Sequence, residues 1–120
     1  MLNQVVLVGR LVRDLQVNKS ESGKKVSTIT LAVPRSFKNQ EGVYDTDFID
    51  CVMWDVVAEN TAEYCKKGDV VGIKGRIQSK LVEKDDKKFT ELEVIAEKVT
   101  FLTTKKEESQ RINEELEDVD

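Results

Sequence analysis

The 120-residue chain has no histidine, one proline, two cysteines and one tryptophan, and only 6% of it is aromatic. Each shortage excludes something. Without histidine a metal site would have to be assembled from carboxylates alone. Cys51 and Cys65 fit neither a disulfide framework nor a zinc-ligand spacing, so a cytosolic protein is expected. Long hydrophobic runs are missing too. The longest near the start is Val5–Val8, against the roughly 18 residues a spanning helix requires, so no membrane or secretory segment is expected.

Charge, by contrast, is plentiful and unevenly placed. The net charge is −4, but residues 1–106 hold 18 Lys/Arg against 16 Asp/Glu, a net of +2. Residues 107–120 hold Arg111 against seven acids, a net of −6. The body is therefore slightly basic, and the location of positive charge, rather than the total, governs phosphate binding. With 39% hydrophobic residues the body can form one folded domain, residues 1–104, followed by a short acidic tail, 105–120, expected to be disordered.

Gln4–Val12 reads as a strand with two apolar faces, Val5, Leu7 and Leu11 on one and Val6, Val8 and Val12 on the other. A one-sided sheet alternates with polar residues, so a second subunit is expected to cover this strand. Ser22-Gly23 marks a turn, and Lys25–Pro34 is a second strand closed by its proline. A polar loop, Arg35–Asp45, leads to the third strand, Thr46–Trp54. There Ile49, Cys51 and Met53 form one face and Phe48, Asp50, Val52 and Trp54 the other.

A helix follows. Asp55 can cap it, Val57, Ala58, Thr61, Ala62, Tyr64 and Cys65 make its apolar stripe, and Lys66, Lys67 and Gly68 end it. Val70–Lys80 is a fourth strand with Val71, Ile73 and Ile77 inward. Glu83–Lys88 is a charged hairpin loop, and Phe89–Leu102 a fifth strand with an irregularity near Glu97-Lys98. Three strands, a helix and two strands give the order of an all-β, five-stranded Greek-key barrel of the oligonucleotide-binding (OB) type, its short helix between the third and fourth strands.

Two faces of that barrel bear on chemistry. Phe48 and Trp54 lie opposite a complete apolar stripe, so the core does not need them. Lys74, Arg76, Gln78 and Lys80 form a polar row on the fourth strand, and Phe37 lies among Arg35, Lys38 and Asn39. Rings beside cations suit unpaired bases, which stack on flat side chains while Lys and Arg follow the phosphates. An ordinary solvated face is the other reading of the basic row. Phe89, Phe101 and Tyr64 read as core contacts; Tyr44 has no assignment.

The segments MLNQVVLVGRL, TLAV, DFIDCVMW, AEYCKKGD and GIKGRIQSK resemble the bacterial and phage single-stranded DNA-binding protein family over about residues 1–104. The resemblance implies an OB fold, usually homotetrameric, that coats single-stranded DNA in replication, recombination and repair; from the residues themselves no catalysis, cofactor or metal is expected. It puts Phe37, Phe48 and Trp54 at base-stacking positions, Arg76 and Lys80 at strand-facing polar positions, and Lys67 near a further basic one. Arg10, Arg35, Lys38 and Lys74 complete the expected phosphate contacts.

Two departures stand out. Where the family carries a stacking aromatic in the last hairpin, this chain has Val82. The terminal EELEDVD is acidic but lacks the Pro-Phe by which many members recruit replication and repair enzymes. Ile112, Leu116 and Val119 would share a stripe if the tail became helical on a partner; a frayed, solvated tail is the alternative. Such an abbreviated tail suits a phage or mobile-element member, and equally a bacterial paralogue.

Two other functions compete. A nuclease would need clustered carboxylates, and of Asp45, Asp47 and Asp50 the last two point to opposite faces of their strand. A pure protein-interaction barrel would fit the two-faced first strand but not the rings and cations.

Overall fold

The computed structural model describes residues 1–103, so the expected tail and its boundary at residue 104 lie outside the described residues. The elements are β1 (Val5–Leu11), β2 (Asn18–Lys19), β3 (Lys25–Lys38), β4 (Tyr44–Trp54), α1 (Asp55–Tyr64), β5 (Val70–Lys84) and β6 (Lys87–Thr103). The sheet runs β1-β5-β6-β4-β3-β2, and a β1–β3 pairing, Arg10 to Ala32 and Leu11 to Leu31, closes five of the strands into a barrel. All of these pairings are antiparallel except β4 with β6, which meet in parallel at Cys51–Val94 and Val52–Ile95. This is the five-stranded OB barrel, with its helix between β4 and β5.

The β-branched and apolar positions of period two build the core. Leu11, Ile29, Leu31, Cys51, Met53, Val71, Ile73 and Ala96 are buried inside, and Ala58 and Cys65 from the helical segment close one end. As the alternation of the third predicted strand requires, Cys51 and Met53 are fully buried while Phe48 and Trp54 are exposed.

Several boundaries move. β3 continues through Pro34, which pairs with Thr46, as far as Lys38. Beyond Ala32 the strand has no β1 partner, and proline is tolerated at such an edge. The loop expected at Glu83–Lys88 shrinks to Asp85-Asp86. Both adopt positive φ, 52° and 63°, as a two-residue primed turn demands, and Asp accepts that conformation more readily than most residues. The two-residue β2, beside the Ser22-Gly23 turn, is too short for alternation to reveal.

The helix ends also differ. Trp54 occupies the N-cap position with no side-chain cap bond, while Asp55 takes a left-handed φ of 50° as the first helical residue. At the other end Cys65 leaves in extended conformation. Gly68 (φ 97°) belongs to the following turn, where its amide donates to the Leu11 carbonyl.

Four residues expected in the core are outside it. Ile77, Phe89, Tyr64 and Phe101 are all exposed. Tyr64 of α1 and Phe101 of β6 meet each other with ring centres 5.8 Å apart, between the helix and that strand. Ile77 lies just beyond Gly75, the last β5 residue paired with β1, and Phe89 lies on the hairpin beyond the last β4–β6 pair at Val94. The irregularity near Glu97-Lys98 is a bulge: Lys74 pairs with Lys98 and Gly75 with Ala96, leaving Glu97 unmatched. At this point a Cβ on Gly75 would lie 1.9 Å from the Ile95 carbonyl oxygen, so only glycine fits.

Candidate nucleic-acid interface

Alternation along β4 sends Tyr44, Phe48 and Trp54 to one face, opposite the core. Phe48 is 67% and Trp54 40% exposed. In register, Phe48 faces Ala32 and Trp54 faces Val26 of β3, small or modest neighbours that leave both rings uncovered. Between them Asp50 accepts a hydrogen bond from the Thr30 hydroxyl at 2.5 Å, which ties β3 to β4 on this face. Trp54 also lines a shallow depression of about 350 Å³ with Ser22, Lys24 and Asp55. Lys24, a cation beside the ring, was not evident from the sequence, because only the Ser20–Lys24 turn brings it there.

Phe37 is 63% exposed near the tip of the β3–β4 hairpin. The register shifts between Pro34 and Lys38, so alternation does not assign this ring to a face. Asn39 organises the tip: its side-chain oxygen accepts from the amides of Glu41 and Val43. Lys38, paired with Tyr44, carries its ammonium 5.7 Å from the centre of the Tyr44 ring. Tyr44 thus joins the face of Phe48 and Trp54. Its place at a loop edge in the sequence concealed this.

The remaining cations fall into three groups. Arg35 is held by Asp47, Nη2 to carboxylate oxygen at 2.9 Å, with Asp45 at 3.7 Å. This pair raises the Arg35 pKa and lowers that of Asp47, chiefly through their hydrogen bond. Arg10 and Lys67 come together at the 66–69 turn. Arg10 donates to the Gly68 carbonyl at 2.6 Å, and the Lys67 amide donates to Asp14 at 2.9 Å. Lys74, Arg76 and Lys80 share one face of β5. Arg76 donates to Gln78 at 3.0 Å and lies 3.8 Å from Glu97. Lys74 stands directly opposite Lys98, a further lysine the sequence reading passed over. Such like-charged cross-strand pairs repel, and an anion between them relieves the repulsion.

Among the described residues no group of three or more Cys, Asp or Glu side chains could hold a metal ion. Asp45 and Asp47 converge on Arg35, while Asp50 lies on the other face with Thr30. No described helix is long and apolar enough to cross a membrane.

Residues 2–102 match the model of the single-strand binding protein family. The chain belongs to that family. It is 46% identical over 106 residues to "Single-stranded DNA-binding protein 3" of Listeria innocua, covering 88% of this chain and 66% of that one. It is 49% identical over 106 residues to the "Single-stranded DNA-binding protein" of Oceanobacillus iheyensis, with the same coverage. "Single-stranded DNA-binding protein B" of Bacillus subtilis is 44% identical over 109 residues, which span 90% of this chain and 96% of that protein. The chain thus covers about two thirds of the length of the first two and nearly all of the third.

Proposed function

We propose that this chain binds single-stranded DNA without regard to sequence and protects it during replication, recombination and repair, making and breaking no covalent bond. One observation carries the reading: Phe48 and Trp54 lie exposed on one face of a strand whose other face already supplies the core. Stacking a base on such a ring contributes on the order of 1–3 kcal/mol, and any base will serve. Phe37, at the hairpin tip, is the third stacking residue.

Lys74, Arg76, Lys80, Lys67, Arg10, Lys38 and Arg35 contact phosphates in this reading. Arg76 and Arg35 would exchange Glu97 and Asp47 for phosphate. Each phosphate neutralised on a single strand steepens the dependence of log K on log salt by about 0.7. DNA rather than RNA rests on the names of the relatives, as does the choice over a protein-interaction barrel.

The chain acts as a homo-oligomer, a tetramer by family resemblance, joined through β1. Val6 and Val8 are exposed on that strand, and only Arg10 and Leu11 pair with β3, so the edge at Val5–Val8 lacks a β3 partner beside two bare valines. A cytoplasmic location follows from the DNA partner.

The test is a titration with oligo-dT, following Trp54 fluorescence at low and high salt. Quenching that saturates at a fixed stoichiometry supports the reading. Absence of both quenching and any gel shift would overturn it and leave the protein-interaction barrel.

A further inference from the structure

A shallow groove of about 390 Å³ lies between α1 and β6. Val56, Asn60 and Tyr64, four residues apart on one helical stripe, form one wall, and Lys98, Val99 and Phe101 the other. Val56 and Tyr64 are 64% and 59% exposed, more open than Trp54, and Phe101 is exposed as well. Bare apolar side chains gathered around one depression mark a surface that something covers. No β1 or β4 residue lines the groove, so neither the proposed subunit contact nor the ring platform accounts for it.

The place where the chain leaves β6 points to the occupant. Phe101, which meets Tyr64 at one end of the groove, is two residues before Thr103, the last described residue. Residues 104–120 therefore start beside the groove. Their large apolar side chains are Ile112, Leu116 and Val119, spaced four and three apart. On a helix these form one stripe about 10 Å long, and the Val56–Tyr64 wall spans about 12 Å at about 1.5 Å per residue. The stretch from Thr103 to Ile112, at about 3.3 Å per residue, is long enough to run the length of the groove and turn back. Charge agrees. Residues 107–120 carry a net −6, while Lys98 lines the groove and Lys66 and Lys67 follow Tyr64 at its end. The acids nearby are already engaged: Glu97 lies 3.8 Å from Arg76, and Glu59 meets Lys25.

We propose that Ile112, Leu116 and Val119 seat in the α1–β6 groove of their own chain, as a short amphipathic helix laid against Val56, Tyr64 and Phe101. Tethering at Thr103 supplies an effective concentration of about millimolar order, so weak apolar contact suffices for docking in cis. Docking of this kind is independent of the DNA binding proposed above.

The experiment pairs a cysteine in the tail with one on either flank of α1, in the full chain. Asn60→Cys with Leu116→Cys faces the groove. Glu59→Cys with Leu116→Cys sits one residue away, on the flank that meets Lys25. Both helix positions are exposed, and the buried Cys51 and Cys65 stay out of the chemistry. Under copper–phenanthroline oxidation, N60C/L116C should close to a faster-running monomer on non-reducing denaturing gels, several-fold sooner than E59C/L116C. Adding I112S and V119S should slow it to the rate of the Glu59 pair. Equal rates for the two pairs would mean random collision of a tethered segment and overturn the proposal. An unchanged rate with I112S and V119S would overturn it too, since the apolar stripe would then not be what seats. Cross-linked dimers in place of the closed monomer would give the groove to a neighbouring copy's tail and defeat docking in cis. Should N60C fail to fold by circular dichroism, Val56→Cys takes its place.

Discussion

Arg35 donates from Nε and Nη2 to the carboxylate of Asp47, at 3.2 and 2.9 Å. Asp47 pairs in register with Val33, on the side of β4 that carries Ile49 and Cys51 rather than Phe48. A cation expected on phosphate is therefore turned towards an acid on the other face. The pair is exposed, so it adds little to stability.

Replacing Asp47 with Asn should release Arg35. The expected outcome is tighter oligo-dT binding with a salt slope steeper by about 0.7, the contribution of one phosphate. Thermal stability should hardly change. An unaltered slope across several salt concentrations would show that Arg35 takes no phosphate. Because Arg35 holds the Asp47 carboxyl below its ordinary value of 3.8, the pair persists above that pH and is lost only as pH falls through the lowered value.

Phe48→Ala should weaken oligo-dT binding by roughly 5- to 100-fold, the loss of one stacked base. Its ring contributes little to the core, so the melting temperature should stay close to that of wild type. A large fall in melting temperature with unchanged affinity would reverse the assignment.

Cys51 and Cys65 are both buried, and burial, helped by the nearby carboxylates of Asp50 and Asp69, pushes each thiol from 9.0 up to about 11. Neither should react with a thiol reagent at neutral pH until the protein unfolds. The folded state holds these protons more tightly than the unfolded chain. Their contribution to stability is therefore complete below about pH 9 and declines as pH rises towards about 11. Denaturant melts at pH 8 and pH 10.5 should show the lower midpoint at the higher pH.

Gly75→Ala forces a methyl against the Ile95 carbonyl in the bulge where β5 leaves the barrel. Overpacking of this kind costs about 1–3 kcal/mol. The strand must shift to accommodate it, so both the denaturation midpoint and the affinity for long oligo-dT should fall, since the displaced hairpin carries Lys80.

Charging the bare β1 face, with Val6→Glu and Val8→Glu together, should convert the assembly to a smaller species in light scattering while leaving the circular dichroism spectrum of the barrel intact. An unchanged mass would place the interface elsewhere.

The two faces of β4 were legible in the sequence because period-two alternation is a local property: Cys51 and Met53 turn inward and Phe48 and Trp54 outward wherever the strand lies. The order of strands and helix was legible for the same reason, as was the disturbance at Glu97. Phe89 and Ile77 were misread because their pattern resembles that of a core strand. Only the register shows that β5 loses its β1 partner beyond Gly75 and β6 its β4 partner beyond Val94, which leaves Ile77 and Phe89 exposed. The partners of Arg35 and Arg76 and the place of Lys24 beside Trp54 were equally hidden, since each depends on chain segments brought together by pairing or turns. Local alternation determined which side chains face the core and which face away. The tertiary structure alone decided how far the core extends and which exposed rings and cations share a surface, because strand register and barrel closure join residues distant along the chain.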